Sequence, residues 1–201
     1  MRTYILLDRS GSMASRWEET INALNAYVEG LAEGKSTADS KVSLFTFDGM
    51  NGLDFNALRT DLRASKWNPV SLNEDSPRGM TPLLDAIGQL KSIIDKKDPK
   101  KANVVIMTDG GENGSREVKK EAAKAMLDDL RKRGYDVVFI GADFDAFGEA
   151  QSLGNAMGNT LNTSAGSYEG AMRGLVAKTA FYSDTGMVRG FTDEERKQAS
   201  S

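Results

Sequence analysis

Tyr4-Ile5-Leu6-Leu7 runs without a break into Asp8-Arg9-Ser10-Gly11-Ser12-Met13, and this junction decides how the rest of the chain is read. A short apolar run closed by a polar, glycine-containing turn predicts a buried strand that delivers side chains to a loop. In that loop a carboxylate and two hydroxyls stand at alternate positions, and a glycine lets the backbone curl, so three oxygens can face one point. Donors that are all oxygen suit hard cations such as magnesium. The bland alternative is a capped helix start, because aspartate, serine and glycine are also favoured in strand-to-helix turns. What separates the two readings lies further along the chain.

Downstream, Ser15 and Glu18 have capping-box spacing, and Trp17, Ile21, Leu24, Val28 and Leu31 recur at helical intervals, which predicts an amphipathic helix ending near Gly34. Lys41 to Phe47 alternates as a strand and Asp48-Gly49 breaks it. Gly52 to Phe55 is expected to return as a short antiparallel partner. Residues 57 to 80 carry Trp67, Pro69 and Pro77 among polar residues and read as a short helix and a long connection, of the kind that often carries function. Gly79-Met80-Thr81-Pro82 then launches a helix with Leu83, Ile87, Leu90 and Ile94 on one face. Asn103 to Thr108 reads as a buried strand of the parallel type, delivering Asp109. Ser115 is placed to cap a helix with Val118, Ala122, Met126 and Leu130 inward, ended by Gly134.

Val137 to Gly141 is another buried strand. A short helix near Ala146 to Leu153, a weak strand near Thr160 to Asn162 and a long helix with Tyr168, Met172, Leu175 and Val176 inward complete the pattern. Alternation of strand and helix predicts an α/β fold: a doubly wound, mostly parallel, Rossmann-like central sheet flanked by helices, with one antiparallel edge strand. The expected domain covers residues 1–182, leaving 183–201 as a polar C-terminal tail in which Thr192 and Glu195 can cap one short turn.

Composition removes whole classes of function. The chain has 201 residues, 39% hydrophobic and 27% charged, the mixture of a folded domain with a substantial core. It contains no histidine and no cysteine, so a Ser-His triad, a cysteine nucleophile, a disulfide and nitrogen or sulfur ligands for zinc are all ruled out. A net charge of -3 supplies no overall positive field. The basic runs Lys96-Lys97, Lys100-Lys101 and Arg131-Lys132-Arg133 lack interleaved aromatics and read as solvated surface, so neither nucleic acid nor membrane is expected as a partner. The first residues enter a strand without a leader pattern, and no apolar stretch is long enough to cross a bilayer, so the expected location is cytoplasmic.

In a doubly wound sheet, ligands bind beyond the carboxyl ends of the strands, where the winding reverses. Asp8 to Ser12 follows the first strand, Asp109 follows the fourth, and Thr81 opens the helix leading up to it, so their oxygens can converge on one ion. Here the sequence resembles the von Willebrand factor A-type domain, whose metal-ion-dependent adhesion site (MIDAS) reads Asp-x-Ser-x-Ser, then a threonine, then an aspartate. Asp8-Arg9-Ser10-Gly11-Ser12, Thr81 within Gly79-Met80-Thr81-Pro82-Leu83, and Asp109 within Met107-Thr108-Asp109-Gly110 match that pattern, and the element order extends the likeness over roughly residues 3 to 180. With three separated motifs in place, the metal reading outweighs the capped turn.

The resemblance implies that Ser10, Ser12 and Thr81 give hydroxyl oxygens to the ion, while Asp8 and Asp109 act largely through water or hydrogen bonds. The implied ion is Mg2+, with Mn2+ or Ca2+ as alternatives. Neutral donors leave such an ion electrophilic, so a carboxylate from a partner protein can complete its coordination. Met80 stands where many relatives carry a second glycine, which puts the local loop conformation in question. Glu112, Asp143 and Asp145 fall near the same sheet edge but read more simply as turn or cap residues, and Asp85 as a structural carboxylate.

The expected function is therefore a cation-dependent protein-interaction module rather than an enzyme, of the stand-alone bacterial or phage type. Since relatives of that type work beside AAA-type ATPases and this chain has no Gly-x-x-x-x-Gly-Lys-Ser/Thr loop, such an ATPase would be a partner in trans. The alternative is a magnesium-dependent phosphohydrolase using Asp8 as nucleophile. Against it, phosphatases of the haloacid dehalogenase type place a second aspartate where this chain has Ser10, so a general acid is missing.

Overall fold

The computed structural model of the chain describes residues 1–141, 144–163 and 167–200, with backbone alone at 144–147. Strand β1 (Arg2–Asp8) lies between β2 (Lys41–Gly49) and β4 (Ala102–Thr108) and is parallel to both. Outside β2 lies β3 (Leu53–Arg63), antiparallel to it, and outside β4 lie β5 (Asp136–Gly141) and β6 (Thr160–Asn162), both parallel. The order β3-β2-β1-β4-β5-β6 means that the chain winds outward on one side of β1, then returns to β4 and winds outward on the other. The reversal falls between β1 and β4, whose carboxyl ends carry Asp8 and Asp109.

The unbroken apolar runs follow from burial on both faces. Side chains alternate along a strand, so Ile5 and Leu7 join one core while Tyr4 and Leu6 join the other. The first core is closed by Leu24 and Val28 of α1 (Trp17–Glu33) and Leu175 of α5 (Tyr168–Thr185). The second is closed by Leu90 and Ile94 of α2 (Leu83–Lys97) and Leu127 and Leu130 of α3 (Lys120–Lys132). Each such fully buried side chain contributes about 1.5–3 kcal/mol from removal of apolar surface from water, and these layers hold the sheet ends in place.

Several local expectations are corrected. The antiparallel partner of β2 is longer than a short return over 52–55: it is an 11-residue strand that takes in residues 57–63, the start of the segment read as helix and connection. It is an edge strand with one open face, so Asp54, Asn56, Arg59 and Asp61 hide its alternation, and register shifts opposite Val42 to Phe45 break the period. The only helical turn that follows in this segment is Ala64–Lys66. A 3-10 turn, Gly11–Arg16, precedes α1, so Ser15 does not cap it. Helix α3 starts at Lys120 and buries Ala123, Leu127 and Leu130; Leu130 and the flanking Val118 face the core as expected, while in between the inward positions are Ala123 and Leu127 rather than Ala122 and Met126.

Between β5 and β6 runs α4 (Phe144–Ser152), and after α5 the chain folds back as α6 (Asp193–Gln198). Thr192 and Glu195 form the capping box expected of them. The tail lies close on α5: a Cβ at Gly170 would stand 2.0 Å from the Gln198 carbonyl oxygen, and the Ser167 hydroxyl donates to the Ala199 carbonyl at 2.7 Å. Among the described residues, no helix is long and apolar enough to cross a membrane.

Candidate metal centre

Asp8 is fully buried at the end of β1, and both its oxygens are engaged. The Ser10 amide donates to Oδ1 at 2.7 Å, and the Thr108 hydroxyl, from the end of β4, donates to Oδ2 at 2.7 Å. Burial pushes this carboxyl up to about 6; the bonds from Thr108 and Ser10 oppose the shift, and the nearby Asp109 adds to it. The Ser10 and Ser12 hydroxyls lie 3.1 Å apart, and Ser12 Oγ donates to Asp109 Oδ1 at 2.7 Å. Arg16 Nε lies 3.8 Å from Asp109 Oδ2. Thr108, Asp8, Ser10, Ser12 and Asp109 thus form one chain of hydrogen bonds across the switch point between β1 and β4.

Thr81 is buried on the third segment of the site. Its amide donates to Asn113 Oδ1 at 2.7 Å and its carbonyl accepts from the Asn113 amide at 3.2 Å, tying it to the loop after Asp109. On its other side, Met80 exchanges two backbone bonds with Gly49, and the Gly11 amide donates to the Gly79 carbonyl at 3.1 Å. Gly79 has φ +67, and a Cβ there would stand 2.6 Å from the Gly49 carbonyl oxygen, so glycine is required at this point. Met80 has negative φ and needs no glycine, which resolves the question raised by its departure from the family pattern.

The neighbouring acids have structural partners. Glu112 accepts from the amides of Leu84, Gly114 and Ser115, and Asp85 from those of Arg116, Glu117 and Val118. Ser115 accepts from the amides of Leu84 and Asp85, so it caps α2 rather than the helix that follows it. Asp143 and the side chain of Asp145 lie outside the described residues. Thr108 and Asn113 escape a reading of the sequence. Thr108 had one available signal: its hydroxyl sits at the strand end next to Asp109.

The donors suit a hard cation. All are oxygens, and the groups facing the buried Asp8 carboxylate are hydroxyls, an amide and another carboxylate. Adjacent ligands of an octahedral ion with bonds of 2.0–2.1 Å stand about 3 Å apart. The Ser10 to Ser12 separation of 3.1 Å is already close to that spacing. Among the described residues no group of three or more acidic side chains is arranged to hold a metal ion, which leaves the hydroxyls as the distinctive donors here.

Residues 4–177 match the family model of the von Willebrand factor type A domain, and the chain belongs to that family. It is similar to YwmC of Bacillus subtilis (strain 168), with 31% identity over 157 residues that make up 70% of this chain and 65% of YwmC. Its fold is similar to that of the Plasmodium vivax TRAP protein, solved loaded with manganese, at 17% identity and a TM-score of 0.63 over 96% of this chain and 75% of that one. Proximal thread matrix protein 1 of the mussel byssus, solved with zinc in its MIDAS motif, is similar at 16% identity and a TM-score of 0.62, over 89% of this chain and 45% of the mussel protein. At such identities the likeness is one of fold. The chain therefore spans about two thirds of the length of YwmC and under half of the mussel protein. Domains of this family act as protein-interaction modules, in some members with a metal at this motif.

Proposed function

We propose that the chain is a divalent-cation-dependent protein-interaction module in which Ser10, Ser12 and Thr81 hold the ion through hydroxyl oxygens. Asp8 and Asp109 orient those hydroxyls and balance the charge from behind. The observation that carries this reading is the hydrogen-bonded chain from Thr108 through Asp8, Ser10 and Ser12 to Asp109, which aligns neutral donors at the switch point. Magnesium is the ion of choice for this spacing. Bound there, it would supply an electrophilic centre for a carboxylate of the partner. The partner is a protein with an exposed aspartate or glutamate, and an AAA-type ATPase acting in trans is one such partner. Met80, 41% exposed beside Thr81, belongs to the rim that a partner would meet.

The phosphohydrolase alternative needs Asp8 as an accessible nucleophile. Asp8 is 0% exposed with both oxygens hydrogen-bonded, which argues for an orienting role instead. Affinity capture from native cells, run with magnesium and again with chelator, tests the interaction reading. A partner should be recovered only with the ion, and Thr81→Ala and Asp109→Ala should lose it while circular dichroism stays native-like. Equal recovery in chelator and in both variants would place binding on another face.

A further inference from the structure

Arg9 stands between Asp8 and Ser10, yet its side chain turns to a different set of partners. Its guanidinium is buried, 4% exposed, among the carboxylates of Asp48, Asp75 and Asp54. One terminal nitrogen donates to Asp75 Oδ1; the other donates to Asp48 Oδ1 at 3.2 Å and lies 3.4 Å from Asp54 Oδ1. With the Asn56 amide oriented so that its oxygen faces the guanidinium, that oxygen accepts from both nitrogens, at 3.3 and 3.1 Å. Asp75 is held on its other oxygen by the Thr46 hydroxyl at 2.5 Å, and Arg78 closes the cluster from outside by donating to Asp48 at 2.6 Å and to Asp54.

We propose that Arg9 is a positioning residue of the metal site, fixing the Ser10 and Ser12 hydroxyls relative to Thr81. This rests on the metal-binding reading above. The backbone of Arg9 already joins the same three segments: its amide donates to the Phe47 carbonyl at 2.9 Å and its carbonyl accepts from the Arg78 amide at 2.8 Å. The side chain repeats the connection in charged form. Asp48 and Asp54 belong to the β2–β3 pair, while Asp75 and Arg78 belong to the segment that ends in Thr81. The planar fork of arginine can engage carboxylates on both sides at once, which a lysine ammonium on its flexible stem does not reproduce. One residue thus couples the first hydroxyl-bearing loop to the segment that brings the third hydroxyl.

The competing account is a plain staple that holds the edge hairpin on the sheet. Such a staple would change stability but leave the folded protein's cation affinity alone. Manganese binding, read by the electron paramagnetic resonance of free Mn2+ at a temperature where circular dichroism shows each protein fully folded, separates the two. The variants are Arg9→Met, Asp75→Asn and Arg9→Lys, with Arg59→Met as control. Arg59 pins the same connection through the Asn68 carbonyl and Glu74, and its hydrogen bonds among the described residues go to Leu58, Asn68, Pro69 and Glu74 rather than to the Asp8–Ser12 loop.

Arg9→Met and Asp75→Asn should bind Mn2+ about 10- to 100-fold more weakly, the usual loss when a group behind a metal ligand is removed. Arg9→Lys should fall between them and the wild type, and Arg59→Met should match the wild type. Wild-type affinity in folded Arg9→Met or Asp75→Asn would overturn the proposal and leave the metal reading standing. So would an equal loss in Arg59→Met. If Arg9→Met does not fold, Asp75→Asn, which keeps side-chain size and the arginine, decides. A wild-type protein that takes up no Mn2+ at millimolar concentration overturns both the metal reading and this one.

Discussion

Asp8 closes β1 at the carboxyl end of the sheet and Asp136 opens β5 at the opposite end; both are fully buried, but only Asp136 is given a cation by the chain itself. Lys178 of α5, also fully buried, donates to Asp136 Oδ1 at 2.7 Å and to Oδ2 at 2.5 Å. Asp8 is faced by the Ser10 amide and the Thr108 hydroxyl. Burial works against every one of these charges. It raises Asp136 and lowers Lys178, with each partner opposing the other's shift, whereas at Asp8 dipoles alone oppose a shift that reaches about 6. One end of the sheet is electrostatically closed, and the other gains from positive charge supplied from outside, as a proton or as a metal ion.

The largest test falls on the closed end. Lys178→Met keeps the volume but leaves Asp136 buried without its partner, and should cost about 3–5 kcal/mol in urea unfolding. Adding Asp136→Leu should recover most of that loss, because the pair then leaves together. Magnesium-induced stabilisation should persist in the double variant. A loss below about 1 kcal/mol for Lys178→Met would mean that the two ends do not differ as described.

At the open end the effects are smaller and depend on conditions. A carboxyl whose folded value is raised above its unfolded one adds stability below the unfolded value and loses it as pH rises through the folded value. For Asp8 that window runs from the ordinary 3.8 to about 6. A difference of about two units sets a ceiling of roughly 3 kcal/mol on the loss in metal-free protein. Asp8→Asn, in which the Thr108 hydroxyl can turn to accept from the amide, should remove this loss and be at least as stable as wild type at neutral pH without metal. Magnesium at 100 times its Kd should add about 2.7 kcal/mol to the wild type, and Asp8→Ala or Ser12→Ala should abolish that gain. A melting temperature indifferent to magnesium and manganese would sink the open-end description.

The same contrast explains what the sequence makes legible. Tyr4 to Leu7 and Val104 to Met107 are readable as strands because both faces are covered, so no polar residue interrupts the run. Of the edge strand β3 only the start, Leu53 to Phe55, is readable; beyond it Asn56, Arg59, Thr60 and Asp61 interrupt the apolar alternation. At the candidate site, Asp8, Ser10, Ser12, Thr81 and Asp109 stand out in the sequence by chemistry and spacing. Arg9, Thr108 and Ser115 do not, because their partners lie far away in sequence: Asp75, Asp8 and the amides that open α2. Residue type there names the kind of bond and leaves its other end unspecified.

The smallest predicted effect asks whether the open end behaves as one unit. Ser115 Oγ accepts from the amides of Leu84 and Asp85, each at 3.1 Å, and donates to Glu112 Oε2 at 2.7 Å. Loss of a capping hydroxyl typically costs about 1 kcal/mol. Glu112 Oε2 also accepts from the Leu84 amide at 3.0 Å, so Ser115→Ala leaves that amide a partner and the loss should stay near this value. Thr81 lies three residues before Leu84 but is tied separately, amide and carbonyl, to Asn113. Ser115→Ala should therefore lower stability by the same amount in metal-free and magnesium-saturated protein, leaving the metal-induced gain unchanged. Asn113→Ala should diminish that gain, because it removes the side-chain half of the tie to Thr81 and leaves the Thr81 amide without its acceptor. If Ser115→Ala also diminishes it, the start of α2 sets the position of Thr81, and the hydroxyl donors depend on the helix as well as on the loops.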